Sequence, residues 1–176
     1  MRSVKVWDPI VRIFHWGTAL LFLANFTVLE DDSPAHRYAG YGLFALVLVR
    51  LLWGLIGTKH ARFSAFWPRP SEIKAHISEL FKDEPEPPLS HNPLGAIMVY
   101  NLLATLVLIS ISGIMLGMDA FWGAAWVEVL HEVLSNYALV CVGLHIVGVV
   151  FETRRTKINL VKAMVTGRKY FPDHRF

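Results

Sequence analysis

Long apolar runs separated by short polar stretches set the pattern of this chain. A helix needs about 20 mostly apolar residues to cross the hydrocarbon core of a bilayer. Four runs meet that length: Val11 to Leu29, His36 to Gly57, Pro93 to Met118 and His131 to Phe151. The elements expected are four transmembrane helices, forming an all-α four-helix bundle in one domain over residues 1–176. The third run has a readable start, because Asn92 is a good cap and Pro93 sits where a missing N–H costs nothing. Outside the runs, Ser71 to Lys82 and Asn159 to Thr166 carry apolar residues at helical spacing. Each reads equally as a helix lying on the inner leaflet or as a helix docked on the bundle. Pro85, Pro87 and Pro88 make a brief stiff linker, and no internal repeat is present.

Composition agrees with the pattern. Hydrophobic residues make up 54% of the chain and charged residues 18%, against about a quarter charged in ordinary soluble domains. The net charge of +3 would suit a nucleic-acid partner if it formed a patch. Instead, the basic residues sort along the chain as topology signals. Of the 17 Lys and Arg, only Arg37 falls beside the two short loops between spans. The others lie in the second connection (Lys59, Arg62, Arg69, Lys74, Lys82), in the tail, or at the span ends facing them. By the positive-inside rule, both termini are cytoplasmic and the two short loops are periplasmic. The expected location is the bacterial inner membrane, with lipid and not nucleic acid as the surrounding partner. Trp7, Trp16, Trp53, Trp67, Trp122 and Trp126 cluster near span ends, as an interfacial belt does. Arg2 and Lys5 precede an apolar run, but no small-residue cleavage site follows, and His15 and Asn25 interrupt it. A retained first span is expected, not a removed signal.

The single cysteine, Cys141, excludes an intrachain disulfide, a Cys-x-x-Cys-His haem attachment and an iron–sulfur cluster. Redox chemistry in this chain must use other ligands, and histidine, with eight in the chain, is the obvious reserve. Histidine inside a span is costly unless it has a partner or a task, and His15, His36, His131 and His145 lie in spans or at their rims. His131 and His145 are fourteen residues apart on the fourth span, so they share a face about 21 Å apart along the axis. His145 then lies level with His15 near the cytoplasmic face, and His131 level with His36 near the periplasmic face. Each pair offers two imidazoles to one iron, in the core between helices where bundles hold cofactors. The plainer reading is four histidines hydrogen-bonded to neighbouring helices. Arg50 follows His36 by fourteen residues and points the same way at the depth of the inner pair. It suits a haem propionate or, more plainly, a residue reaching to the inner surface. Gly40 lies one turn from His36 and would admit a macrocycle close to the backbone. Gly17, Gly113, Gly143 and Gly148 would do the same or serve helix packing. His60, His76, His91 and His174 read as surface residues.

These residues give the chain a resemblance to the bacterial cytochrome b561 family, which shares its four-helix haem domain with b-type subunits of nickel–iron hydrogenases. The resemblance rests on Arg12-Ile13-Phe14-His15-Trp16, His36 with Gly40 and Arg50, Trp53-Gly54, His91-Asn92-Pro93, His131-Glu132 with His145, and the segment from Asn159 to Lys169. It covers nearly the whole chain. It implies two b haems with axial ligands His15, His36, His131 and His145. It also implies electron exchange between a quinone, ubiquinone or menaquinone, and a periplasmic partner, either a c-type cytochrome or a hydrogenase-like protein. The family's tail often has His or Glu before the Asn-Leu motif, where this chain reads Arg154-Arg155-Thr156-Lys157-Ile158.

Two other functions compete with electron transfer to a protein partner. A stand-alone superoxide:quinone oxidoreductase would need an attractive periplasmic surface, but the periplasmic loops are largely acidic and repel an anion. A non-redox histidine-containing subunit, such as a metal carrier, would be expected to bury acidic residues mid-span. Glu132 and Glu152 lie only at the ends of the fourth span.

Overall fold

The computed structural model describes residues 2–80 and 91–171. The proline linker, Phe81 and Lys82 of the first amphipathic segment, and His174 lie outside the described residues. Four helices are long and apolar enough to cross a membrane: α1 (Pro9–Thr27), α2 (Pro34–Ile56), α4 (Pro93–Leu116) and α5 (Ala125–Thr156). Two shorter α-helices, α3 (Pro70–Glu79) and α6 (Leu160–Thr166), accompany them among the described residues. Strand β1 (Arg2–Lys5) pairs antiparallel with β2 (Arg168–Phe171), a ribbon that hydropathy did not reveal.

Three of the four spans start by one device. Asp8, Ser33 and Asn92 each precede a proline, and each side chain accepts the amide three residues on: Val11 at 3.0 Å, His36 at 3.1 Å and Gly95 at 2.6 Å. Proline at the first position loses no bond, because that amide has no partner inside the helix. The first two spans therefore begin two residues earlier than hydropathy suggested. The fourth differs most: α5 has 32 residues, against an expected His131–Phe151. Glu128, Arg154 and Arg155 are too polar for a hydropathy window, yet they continue the helix beyond the apolar stretch. Lys157, in a left-handed conformation at φ 60°, ends it.

The bundle core takes side chains from all four spans: Phe22 from α1, Leu43 and Val47 from α2, Leu106 and Ile109 from α4, and Ala138 from α5. Large apolar residues such as Leu20, Leu55 and Val147 stand outward, as lipid-facing positions do. Close approach of α1 and α2 uses Gly17, where a Cβ would lie 2.9 Å from Leu46 Cδ1. This glycine serves helix packing.

A second cluster of Val6, Trp7, Val11, Ala61 and Ala163 closes one end of the bundle. The Gly167 carbonyl accepts the amides of Val6 and Trp7 at 2.9 and 3.1 Å. Gly167 has φ 79°, and a Cβ there would sit 2.6 Å from the Trp7 carbonyl oxygen, so only glycine fits. Arg12 Nη2 donates to the Val165 carbonyl. Both ends of the described chain are thus fixed to the same face of the bundle. Ala163 is fully buried in this cluster, so α6 docks on the bundle. Asp8 joins the start of α1 to the end of α2, accepting from Trp53 Nε1 at 2.9 Å and Thr58 Oγ1 at 2.6 Å. Burial works to raise the Asp8 carboxyl, but these two bonds and the helix amides outweigh it and hold it below the usual carboxylate range.

At the far end of α5, Arg155 pairs with Glu152 at 3.0 Å and donates to the Glu79 carbonyl at 3.2 Å. The contact secures the end of α3 and buries His76, which the sequence reading had placed on the surface. Burial, the largest influence, pushes the His76 imidazole down. The docking partner of α3 lies 76 residues away in sequence, so nothing local to the segment shows that His76 is buried.

Candidate functional site

The four intramembrane histidines come together as two pairs. His15 on α1 faces His145 on α5 with ring centres 6.2 Å apart and planes at 53°. His36 on α2 faces His131 on α5 with ring centres 6.3 Å apart and planes at 66°. All four are half-buried. The helix α5 contributes one ring to each pair, and its fourteen-residue spacing sets the pairs about 21 Å apart along the axis.

These separations suit a metal ion held between opposed imidazoles. With a metal–nitrogen distance of about 2.0–2.1 Å and a ring centre about 1.1 Å behind its nitrogen, two trans imidazoles place their centres roughly 6.3 Å apart. Rings in direct van der Waals stacking would be closer, and rings ignoring each other need not match at both sites. Among the described residues, no group of three or more His, Cys, Asp or Glu side chains is arranged to hold a bare ion. A metal here would bring its remaining ligands with it, as the iron of a porphyrin does. His15 Nδ1 and His36 Nδ1 are buried without a hydrogen-bond partner.

The surroundings of the two pairs differ. Near the His15–His145 pair, Arg50 is 3% exposed. Its Nη2 donates to the Ala61 carbonyl at 3.1 Å, its guanidinium lies 4.8 Å from the Phe63 ring centre, and its Nη1 has no partner. Asp8, the acid whose charge it feels, is already engaged by Trp53 and Thr58. Such a buried cation fits a carboxylate brought by a ligand. His91 corrects the sequence reading: it is not a surface residue. Its ring sits between Trp7 and Phe66, with centres 4.7 and 4.5 Å away, and its Nδ1 is buried without a partner. Burial first, then the charges of Lys169, Arg50 and His145, push this imidazole down to about 3 and keep it neutral. Its place in the sequence, just before the Asn92 cap, gave no sign that β1–α1 and the segment around Phe66 close over it.

Around the His36–His131 pair, Ser112 Oγ lies 2.9 Å from His131 Nδ1. A Cβ at Gly113 would come within 3.1 Å of His131 Cε1, so this glycine admits the histidine ring itself. Ser112 was missed by the sequence reading, since a serine in an apolar run is common and its neighbour on α5 is unreadable from spacing. At Gly40 a Cβ would meet only Asn25 Nδ2 at 4.0 Å, and at Gly143 and Gly148 nothing within 4 Å. Those positions leave open space beside the helices.

Comparison with known proteins gives a consistent picture. Residues 6–167 match the family model described as prokaryotic cytochrome b561. A probable Ni/Fe-hydrogenase B-type cytochrome subunit of Azotobacter vinelandii is 24% identical, with 98% of this chain and 91% of that protein covered. Its counterpart from Bradyrhizobium diazoefficiens is 27% identical over 97% of this chain and 87% of that protein. The counterpart from Rhodobacter capsulatus is 23% identical over 98% and 84%. No solved structure gives a significant match. With four membrane-length helices and a family match over nearly its full length, the chain is a multi-pass membrane cytochrome of the b type, an electron-transfer protein belonging to the prokaryotic cytochrome b561 family.

Proposed function

We propose that this protein carries electrons across the bacterial inner membrane through two b haems, between the membrane quinone pool and a periplasmic redox protein. The observation that carries the reading is the pair of ring separations, 6.2 and 6.3 Å, each suited to one metal ion and repeated at two depths. His15 and His145 are the axial ligands of the inner haem, and His36 and His131 those of the outer one. A haem held by two imidazoles supplies a one-electron carrier with no open coordination position. Arg50 neutralises a carboxylate of the inner haem through its unpartnered Nη1. Gly40 and its open surroundings leave room beside His36. With the Lys- and Arg-rich segments inside, both termini are cytoplasmic and the outer pair faces the periplasm. The relatives are named as hydrogenase cytochrome subunits, and a hydrogenase-like protein or a c-type cytochrome is the partner class proposed here.

The test uses the purified protein in sealed vesicles with quinol in the membrane and a membrane-impermeant oxidant on the periplasmic side. Quinol addition should reduce both haems, and the outside oxidant should then draw electrons continuously. Haems that quinol leaves oxidised, or an oxidant served equally well by vesicles lacking the protein, would contradict the proposal.

A further inference from the structure

Among the ligand candidates, His131 is distinguished by a side-chain partner that belongs to another helix. Ser112 lies on α4 and is 1% exposed. Its hydroxyl donates to the Ile109 carbonyl at 2.9 Å, one turn back on the same helix. The same oxygen stands 2.9 Å from His131 Nδ1. A hydroxyl has one proton and can accept with its lone pairs. With that proton on Ile109, the contact to the imidazole is satisfied when Nδ1 carries hydrogen and donates to Oγ. This is the tautomer that leaves Nε2 bare. The rings of His15 and His36 have no such hold, since their Nδ1 atoms lack partners. Gly113 adds a geometric constraint, because α4 backbone passes so close that a methyl group would press on His131 Cε1 at 3.1 Å.

We infer that Ser112 is a positioning residue for the outer haem: it fixes His131 in the Nδ1–H tautomer and makes that imidazole a stronger donor to the iron. The inference rests on His131 being a ligand, as proposed above. Hydrogen bonds from a ligand's second nitrogen orient the ring and raise its basicity, and hydrogen bonding around a haem is one of the levers on its potential. A more basic imidazole favours the ferric state. Loss of the Ser112 oxygen therefore raises the potential of the outer haem and leaves the inner one, on the far side of the bundle core, where it was.

The experiment is a redox titration of the haem-loaded full-length protein, following the two haem absorptions separately. Ser112→Ala is expected to keep both haems and shift one potential upward. Because alanine also leaves a small void, Ser112→Thr and Ser112→Val are compared as an isosteric pair. Threonine keeps the oxygen and can still bond the preceding turn, so it should hold the outer potential below that of valine. If the outer haem binds too weakly in Ala and Val to be titrated, Thr should retain it where they do not. Equal potentials in Thr and Val, or equal loss of haem from both, would overturn the inference. His131→Ala serves as the separate control: if it keeps two haems, the ligand assignment itself is wrong, whatever Ser112 does.

Discussion

His145 and His131 occupy one helix face, yet their neighbours make them unequal. His145 meets His15, beside a buried cationic patch of Arg50 and Lys169 around the neutral ring of His91. His131 meets His36 and is held from behind by Ser112. Replacing His145 with Ala should therefore remove the inner haem and spare the outer one, giving half the wild-type haem in a pyridine haemochrome assay. The reduced spectrum should keep a single narrow α-band. Gly113→Ala is expected to disturb the other site. The added methyl would press on His131 Cε1, so the ring must tilt, and the outer haem should bind more weakly while the inner is kept. Equal retention of both would contradict the close approach. At this scale the sequence was legible wherever chemistry forces a rare residue into an apolar run. The four histidines and Arg50 stood out because hydrocarbon tolerates such groups poorly. Ser112 and His91 did not, because serine is unremarkable in a membrane helix and a histidine outside the spans reads as solvated.

The elements are fixed by local rules that the sequence states openly. Asp8-Pro9, Ser33-Pro34 and Asn92-Pro93 are one signature used three times, although hydropathy alone drew attention only to the last. Asp8 goes further than capping, since Trp53 and Thr58 also donate to it. Asp8→Ala should cost roughly 1–2 kcal/mol from the lost cap, read as a lower midpoint in thermal unfolding of the detergent-solubilised protein. The pH dependence follows from the same bonds. The folded carboxyl lies below its ordinary 3.8, so its contribution is fully present above that value and fades as pH falls through the lowered folded one. Wild type should lose stability in that acid range more steeply than Asp8→Asn, which cannot ionise. An identical acid slope would show that the carboxylate is not held by these donors. What the sequence concealed at this scale was pairing across distance. The β1–β2 ribbon joins residues more than 160 positions apart, and four-residue strands with mixed polarity carry no periodicity of their own.

At the scale of the molecule, span number and family were readable from length, charge and motif together. The ribbon and Gly167 then fix both ends of the described chain to one face. The proposed orientation puts that face in the cytoplasm. A reporter that is active only in the periplasm should stay silent when fused after residue 171 and become active when placed between α4 and α5, near Trp122. The reverse result would exchange the inner and outer assignments without altering the pairs. The relation between pairs depends on α5, a helix of 32 residues that holds one histidine for each site on a single rigid element.

The central claim is that each pair of opposed imidazoles holds one haem. Its most direct measurement is haem per polypeptide in the purified wild type beside His145→Ala, His131→Ala and the double variant, all produced with ample haem. The account predicts two, one, one and none, with the two single variants losing spectrally different haems. One haem in the wild type, or two retained in either single variant, would contradict it.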